Sequence, residues 1–90
     1  MAILTSTIPV ERTKHSRIGE VDFQNLEFGA QLSDHMLVAD YNDGHWNSPR
    51  IVPFGEMRIT PAMLSLHYGQ SVFEGMKAFR THSGDINIFR

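Results

Sequence analysis

From Met76 to Phe89 apolar and polar residues alternate on either side of a short polar loop, and no other stretch restricts the fold as much. Met76-Lys77-Ala78-Phe79-Arg80 runs with a period of two, Thr81-His82-Ser83-Gly84-Asp85 supplies turn-forming residues, and Ile86-Asn87-Ile88-Phe89 resumes the alternation. That period places successive side chains on opposite faces of a strand, so the pattern predicts an antiparallel hairpin. Its apolar positions, Met76 and Ala78 on one arm and Ile86 and Ile88 on the other, require a second layer to cover them.

Upstream, Asp34 to Asn42 is rich in apolar and aromatic residues and stops at Asp43-Gly44, a dipeptide suited to positive φ. A strand leading into a hairpin follows. Pro49-Arg50-Ile51-Val52-Pro53-Phe54 brackets a short apolar pair with two prolines, which lack the ladder N–H, so it reads as an edge strand or extended loop. Met57-Arg58-Ile59 alternates like a short half-buried strand. Thr60-Pro61 has the form of a helix start, with the Thr hydroxyl as cap and Pro at the first helical position. The helix is expected from Pro61 through about Leu66, with Gly69 ending it. Together these elements give an α+β chain of antiparallel strands with few short helices.

Ninety residues hold one core at most, and 41% hydrophobic with 20% charged residues suits a folded chain. Apolar runs such as Met36-Leu37-Val38-Ala39 fall far short of the roughly 20 residues of a membrane-spanning helix, so no bilayer crossing is expected. Eight Lys and Arg against ten Asp and Glu leave a net charge of -2, with no basic footprint for nucleic acid or anionic lipid. The absence of cysteine removes disulfides, Cys-ligated zinc and thiol catalysis, and fits a cytoplasmic protein. Residues 1–17 mix Ser and Thr with Ala2-Ile3-Leu4, Arg12, Lys14 and Arg17, and read as an exposed arm. The order of a secretory signal is missing, and a mitochondrial presequence is disfavoured by Pro9 and Glu11. The sequence stops at Arg90, directly after a strand pattern and without a closing element, which reads as a truncation.

Five histidines, His15, His35, His45, His67 and His82, share no ligand spacing, and the aspartates form no calcium loop, so no metal site is expected. The phosphate-binding glycine motifs are missing. Gly69-Gln70-Ser71-Val72-Phe73 lacks the second glycine of a nucleophile elbow. Lys77 alternates with Met76 and Ala78 and is expected to face solvent rather than act as a nucleophile. In Leu66-His67-Tyr68-Gly69-Gln70-Ser71-Val72-Phe73-Glu74-Gly75, two aromatics five apart stand beside glycines. Residue chemistry alone leaves pocket lining and ordinary core packing both open.

Leu66-His67-Tyr68 with Ser71-Val72-Phe73-Glu74-Gly75-Met76-Lys77-Ala78-Phe79 resembles the class IV pyridoxal-phosphate aminotransferases, specifically the branched-chain amino acid aminotransferases. Phe28-Gly29, Ser33-Asp34-His35-Met36-Leu37, Asn42-Asp43, Trp46 and Pro49-Arg50-Ile51-Val52-Pro53-Phe54 resemble the longer, eukaryote-like branch of that family in order and spacing. The resemblance runs from about Phe28 to Arg90. It implies an N-terminal arm and lead-in over 1–27, then over 28–90 the first part of the small domain of a fold-type IV enzyme. The implied activity is amino transfer from leucine, isoleucine or valine to 2-oxoglutarate in a homodimer, with pyridoxal phosphate as electron sink. By the family's pattern Phe73 lines the substrate pocket, Tyr68 reaches into the pocket of the partner subunit, and Gly75 keeps backbone clear near the cofactor. The family's Schiff-base lysine and phosphate-gripping arginine match no residue here, Arg90 included, so the resemblance places no catalytic residue in this chain and implies that the piece alone is inactive. The aromatic-Glu-Gly motif is shared with D-amino acid aminotransferases and aminodeoxychorismate lyases, and a non-catalytic binding or dimerisation module is the remaining alternative.

Overall fold

Consecutive positive φ angles, 52° at Asp43 and 80° at Gly44, close a two-residue turn. They join β2 (Tyr41–Asn42) to β3 (His45–Trp46), with Asn42 opposite His45 and Tyr41 opposite Trp46. Two left-handed residues match the twist of a two-residue hairpin, which is why Asp-Gly sits there. The Tyr41 and Trp46 rings meet edge to face, 5.2 Å between centroids. A Cβ at Gly44 meets nothing within 4 Å, so its penalty is conformational alone. Gly44→Ala is expected to weaken the hairpin by about 1–2 kcal/mol, read as a loss of the ring-current shift that Trp46 imposes on Tyr41.

The structure, a computed structural model, describes residues 7–89. Ala2-Ile3-Leu4 and Arg90 lie outside the described residues. The chain divides into two units, Met1–Met57 and Arg58–Arg90.

In the first unit β1 (His35–Val38) pairs antiparallel with β4 (Arg50–Pro53), His35 opposite Pro53 and Val38 opposite Arg50. The segment Asp34–Asn42 is thus two strands. It breaks at Asp40, whose carbonyl accepts the Asn47 N–H at 2.7 Å and whose carboxylate meets Arg50 Nη1 at 3.4 Å. Both prolines of the bracketed run are compatible with its pairing, because Pro49 precedes β4 and Pro53 ends it. Residues 9–17 do not hang free. Glu11 N–H donates to the Ile51 carbonyl at 2.8 Å and Ile51 N–H to the Pro9 carbonyl at 2.9 Å, a parallel bridge on the edge of β4 that β1 leaves open. A 3-10 turn, Ile18–Glu20, follows.

In the second unit α1 (Leu64–Tyr68) begins three residues later than the sequence suggests. Pro61 is the second residue of a turn, closed by the Met63 N–H on the Thr60 carbonyl at 3.1 Å, and Met63 is extended at ψ 129°. Proline's fixed φ serves such a turn as well as it serves a first helical residue, so Thr-Pro alone does not separate the two. Gly69 ends the helix in the left-handed region at φ 61°, as its position predicts. Met57-Arg58-Ile59 forms no strand: among the described residues it finds no ladder partner, and alternation without a partner makes no sheet.

The hairpin expected at Met76–Phe89 is present as β5 (Lys77–Arg80) and β6 (Ile86–Phe89), with Ala78 opposite Ile88 and Arg80 opposite Ile86. Its loop is closed by Thr81 N–H on the Asp85 carbonyl at 2.7 Å and Asp85 N–H on Thr81 Oγ1 at 3.1 Å. Ala78, Ile86 and Ile88 share one face, Phe79 and Phe89 the other, so both faces carry apolar groups. α1 touches neither strand. No described residue of either unit is buried. The architecture is α+β, antiparallel strand pairs with one short helix, and no helix of the described residues is long and apolar enough to cross a membrane.

Candidate functional site

The residues singled out by sequence lie where α1 gives way to β5. Tyr68 is the last residue of the helix, and Gly69 turns the chain out of it, with Ser71 N–H donating to the Gly69 carbonyl at 2.9 Å. The linker then runs without regular structure to β5, carrying Phe73 and Gly75. His67 lies on the same helix, but its Nε2 is 2.6 Å from the Pro61 carbonyl and ties α1 back to the preceding turn. That contact gives the ring a local anchoring role.

Tyr68 is 75% exposed and Phe73 95% exposed, and a Cβ at Gly75 meets nothing within 4 Å. The structure does not bring the two rings together: among the described residues the aromatic pair in contact is Tyr41 with Trp46. The segment thus presents two exposed aromatic rings on open backbone. Lys77 begins β5 and is exposed. Among the described residues no three His, Asp or Glu gather as a metal site would need.

A second feature, which the sequence reading missed, belongs to the first unit. Residues 17–34 shape a cleft of about 380 Å³ whose apolar lining includes Ile18, Val21, Phe23, Leu26 and Leu32. Tyr68, Phe73 and Gly75 take no part in it. At its rim Arg17 and Asp34 come within 3.7 Å, and the Arg17 guanidinium lies 5.8 Å from the centre of the Phe54 ring. Ser16 Oγ donates to Asp34 Oδ2 at 2.6 Å and Arg17 N–H to Oδ1 at 2.9 Å. The Ser16 hydroxyl first, and then the Arg17 backbone N–H, hold the Asp34 carboxyl below its ordinary range. Asp22 is likewise held low, by the Asn25 side chain first and the Gln24 N–H second.

No family model matches the chain. A probable branched-chain-amino-acid aminotransferase of Staphylococcus epidermidis is 47% identical over 70 residues, 77% of this chain and 19% of the relative. Branched-chain-amino-acid aminotransferase 2 of Bacillus subtilis is 41% identical over 85 residues, 93% of this chain and 23% of the relative. The mitochondrial branched-chain-amino-acid aminotransferase of Schizosaccharomyces pombe is 44% identical over 70 residues, 77% of this chain and 16% of its own length. These relatives are aminotransferases. Within that class the chain belongs to the branched-chain-amino-acid aminotransferase family, and it spans about a fifth of the length of the relatives it matches.

Proposed function

We propose that the protein carrying this segment is a branched-chain amino acid transaminase: it moves the amino group of leucine, isoleucine or valine to 2-oxoglutarate, with pyridoxal phosphate as cofactor, as a cytoplasmic homodimer. The observation that carries this reading is the identity with branched-chain-amino-acid aminotransferases along most of the chain. The exposed rings support it. A branched aliphatic side chain offers no hydrogen bond, so selecting it requires close apolar walls, and Phe73 presents such a wall with nothing of its own segment against it. Tyr68, five positions earlier at the end of α1, is assigned to the pocket of the partner subunit, where its hydroxyl adds one polar contact. Gly75, two residues after Phe73, leaves its backbone open. Residues 28–90 are then the first part of the small domain, preceded by the lead-in of residues 1–27.

The segment's own residues do not fit a complete cofactor site. Pyridoxal phosphate supplies an electron sink when held by a desolvated lysine and a phosphate clamp. Here Lys14 and Lys77 are both exposed, Lys77 on an open strand, so neither has the low-dielectric walls that chemistry uses. The segment's contribution is to bind and orient substrate, and alone it is inactive.

The test is amino transfer by the longer protein. Leucine, isoleucine and valine are expected to yield glutamate from 2-oxoglutarate, with D-alanine a poor donor. Preference for D-alanine, or lyase activity on aminodeoxychorismate, would assign the segment to another class IV enzyme. Borohydride reduction of the isolated chain mixed with pyridoxal phosphate is expected to leave no adduct confined to one lysine.

A further inference from the structure

Residues 9–17 are fastened to the rest of the first unit by two kinds of partner. Toward the N-terminal end the partners are backbone groups of Ile51, which do not titrate. Toward the other end they are two neighbouring ionisable side chains. Thr13 N–H donates to His35 Nε2 at 3.0 Å, while Ser16 Oγ and Arg17 N–H donate to the two oxygens of Asp34. We infer that residues 13–17 form a pH-sensitive latch, closed while His35 Nε2 is free to accept the Thr13 N–H and opened when the ring takes a proton there.

The neutral imidazole accepts at one nitrogen, whereas the imidazolium donates at both. A proton on Nε2 sets donor against donor, and the Thr13 bond is lost. Histidine is the side-chain class whose charge changes between pH 5 and 8. The ionisable groups facing it are few. Asp34 precedes His35, Arg17 approaches the Asp34 carboxylate, and Lys14 and His15 are the other titratable residues of the latch. Across the ladder β4 places Pro53 opposite His35, and Arg50 lies at the far end beside Asp40. Asp34 releases in a separate step. A carboxyl held low by its partners contributes above the ordinary carboxylate range, and that contribution is lost as pH falls through the lowered value. The bridge at Ile51 is made by backbone groups that do not titrate, and it stays intact.

Hydrogen exchange resolved to single amides in the whole protein, corrected for the intrinsic rate at each pH, tests the latch. Protection of the Thr13 amide is expected to fall about two- to tenfold between pH 7.5 and pH 5, with the Glu11 and Ile51 amides unchanged. His35→Gln supplies a neutral acceptor that does not titrate, so its Thr13 protection is expected to be flat. His15→Gln is expected to keep the wild-type response, which serves if His35→Gln loses the bridge at Ile51. A Thr13 amide already unprotected at pH 7.5, an equal fall at Glu11 and Ile51, a response surviving in His35→Gln, or one abolished by His15→Gln overturns the proposal.

Discussion

Phe73→Ala in the longer protein is expected to lower kcat/KM for leucine by about a hundredfold, while alanine, as amino donor, loses far less. The argument starts from exposure: at 95% exposed, the ring supports nothing in its own unit, so truncating it removes little that holds the segment together. The lost apolar wall acts on whatever the ring faces in the assembled protein. One methylene in an apolar pocket is worth about 1–3 kcal/mol, and a phenyl group meeting a branched side chain offers at least that. Steady-state rates with leucine and alanine separate the readings, since equal losses for both would mark Phe73 as a packing residue. Tyr68→Phe keeps the ring and removes the hydroxyl, so a smaller loss, about two- to tenfold, is expected. If the longer protein is the proposed dimer, mixed dimers assign the hydroxyl to one pocket or the other: pairing a Tyr68→Phe subunit with an otherwise inactivated subunit places defect and working centre together or apart.

The parts of this architecture that were legible in the sequence are those whose cause is local. Asp43-Gly44 dictates its own turn through positive φ, and Thr81 to Asp85 carries the hydroxyl and carboxylate that close the β5–β6 loop. Gly69 stops the helix for the same kind of reason. The pairing of β1 with β4 depends on groups well separated along the chain, and alternation at Met57-Arg58-Ile59 could not reveal that no partner waits there. The docking of residues 9–17 was illegible for a related reason. Hydroxyl and cationic residues look like a solvated arm until Asp34 and His35 are placed beside them, and the sequence holds Thr13 and His35 22 positions apart. The candidate site at Tyr68, Phe73 and Gly75 rests on family likeness more than on residue chemistry. An aromatic between glycines reads equally as core or pocket, and the exposure of Tyr68 and Phe73 is what the alternation of neighbouring residues could not supply.

The isolated chain is expected to show no sharp thermal transition, to bind a dye that reports apolar surface, and to associate as its concentration rises. A stable domain of this size withdraws about 60% of its unfolded surface from water, and at roughly 25 cal/mol per Å² that withdrawal is what offsets the entropy lost on ordering the chain. Neither unit achieves it. The faces of the β5–β6 hairpin carry Ala78, Ile86 and Ile88 on one side and Phe79 and Phe89 on the other, all exposed, and two strands alone are marginal in water. Leu37 on β1 and Leu64 and Leu66 on α1 are exposed as well. Local hydrogen bonds hold the turns, but the net worth of each is about 1 kcal/mol and cannot replace a core. Circular dichroism against temperature at several concentrations decides the matter. Coincident, steep, concentration-independent transitions in the near and far ultraviolet would show that the chain packs a core of its own, and the assignment of its apolar faces to the remainder of a transaminase subunit would fall with that result.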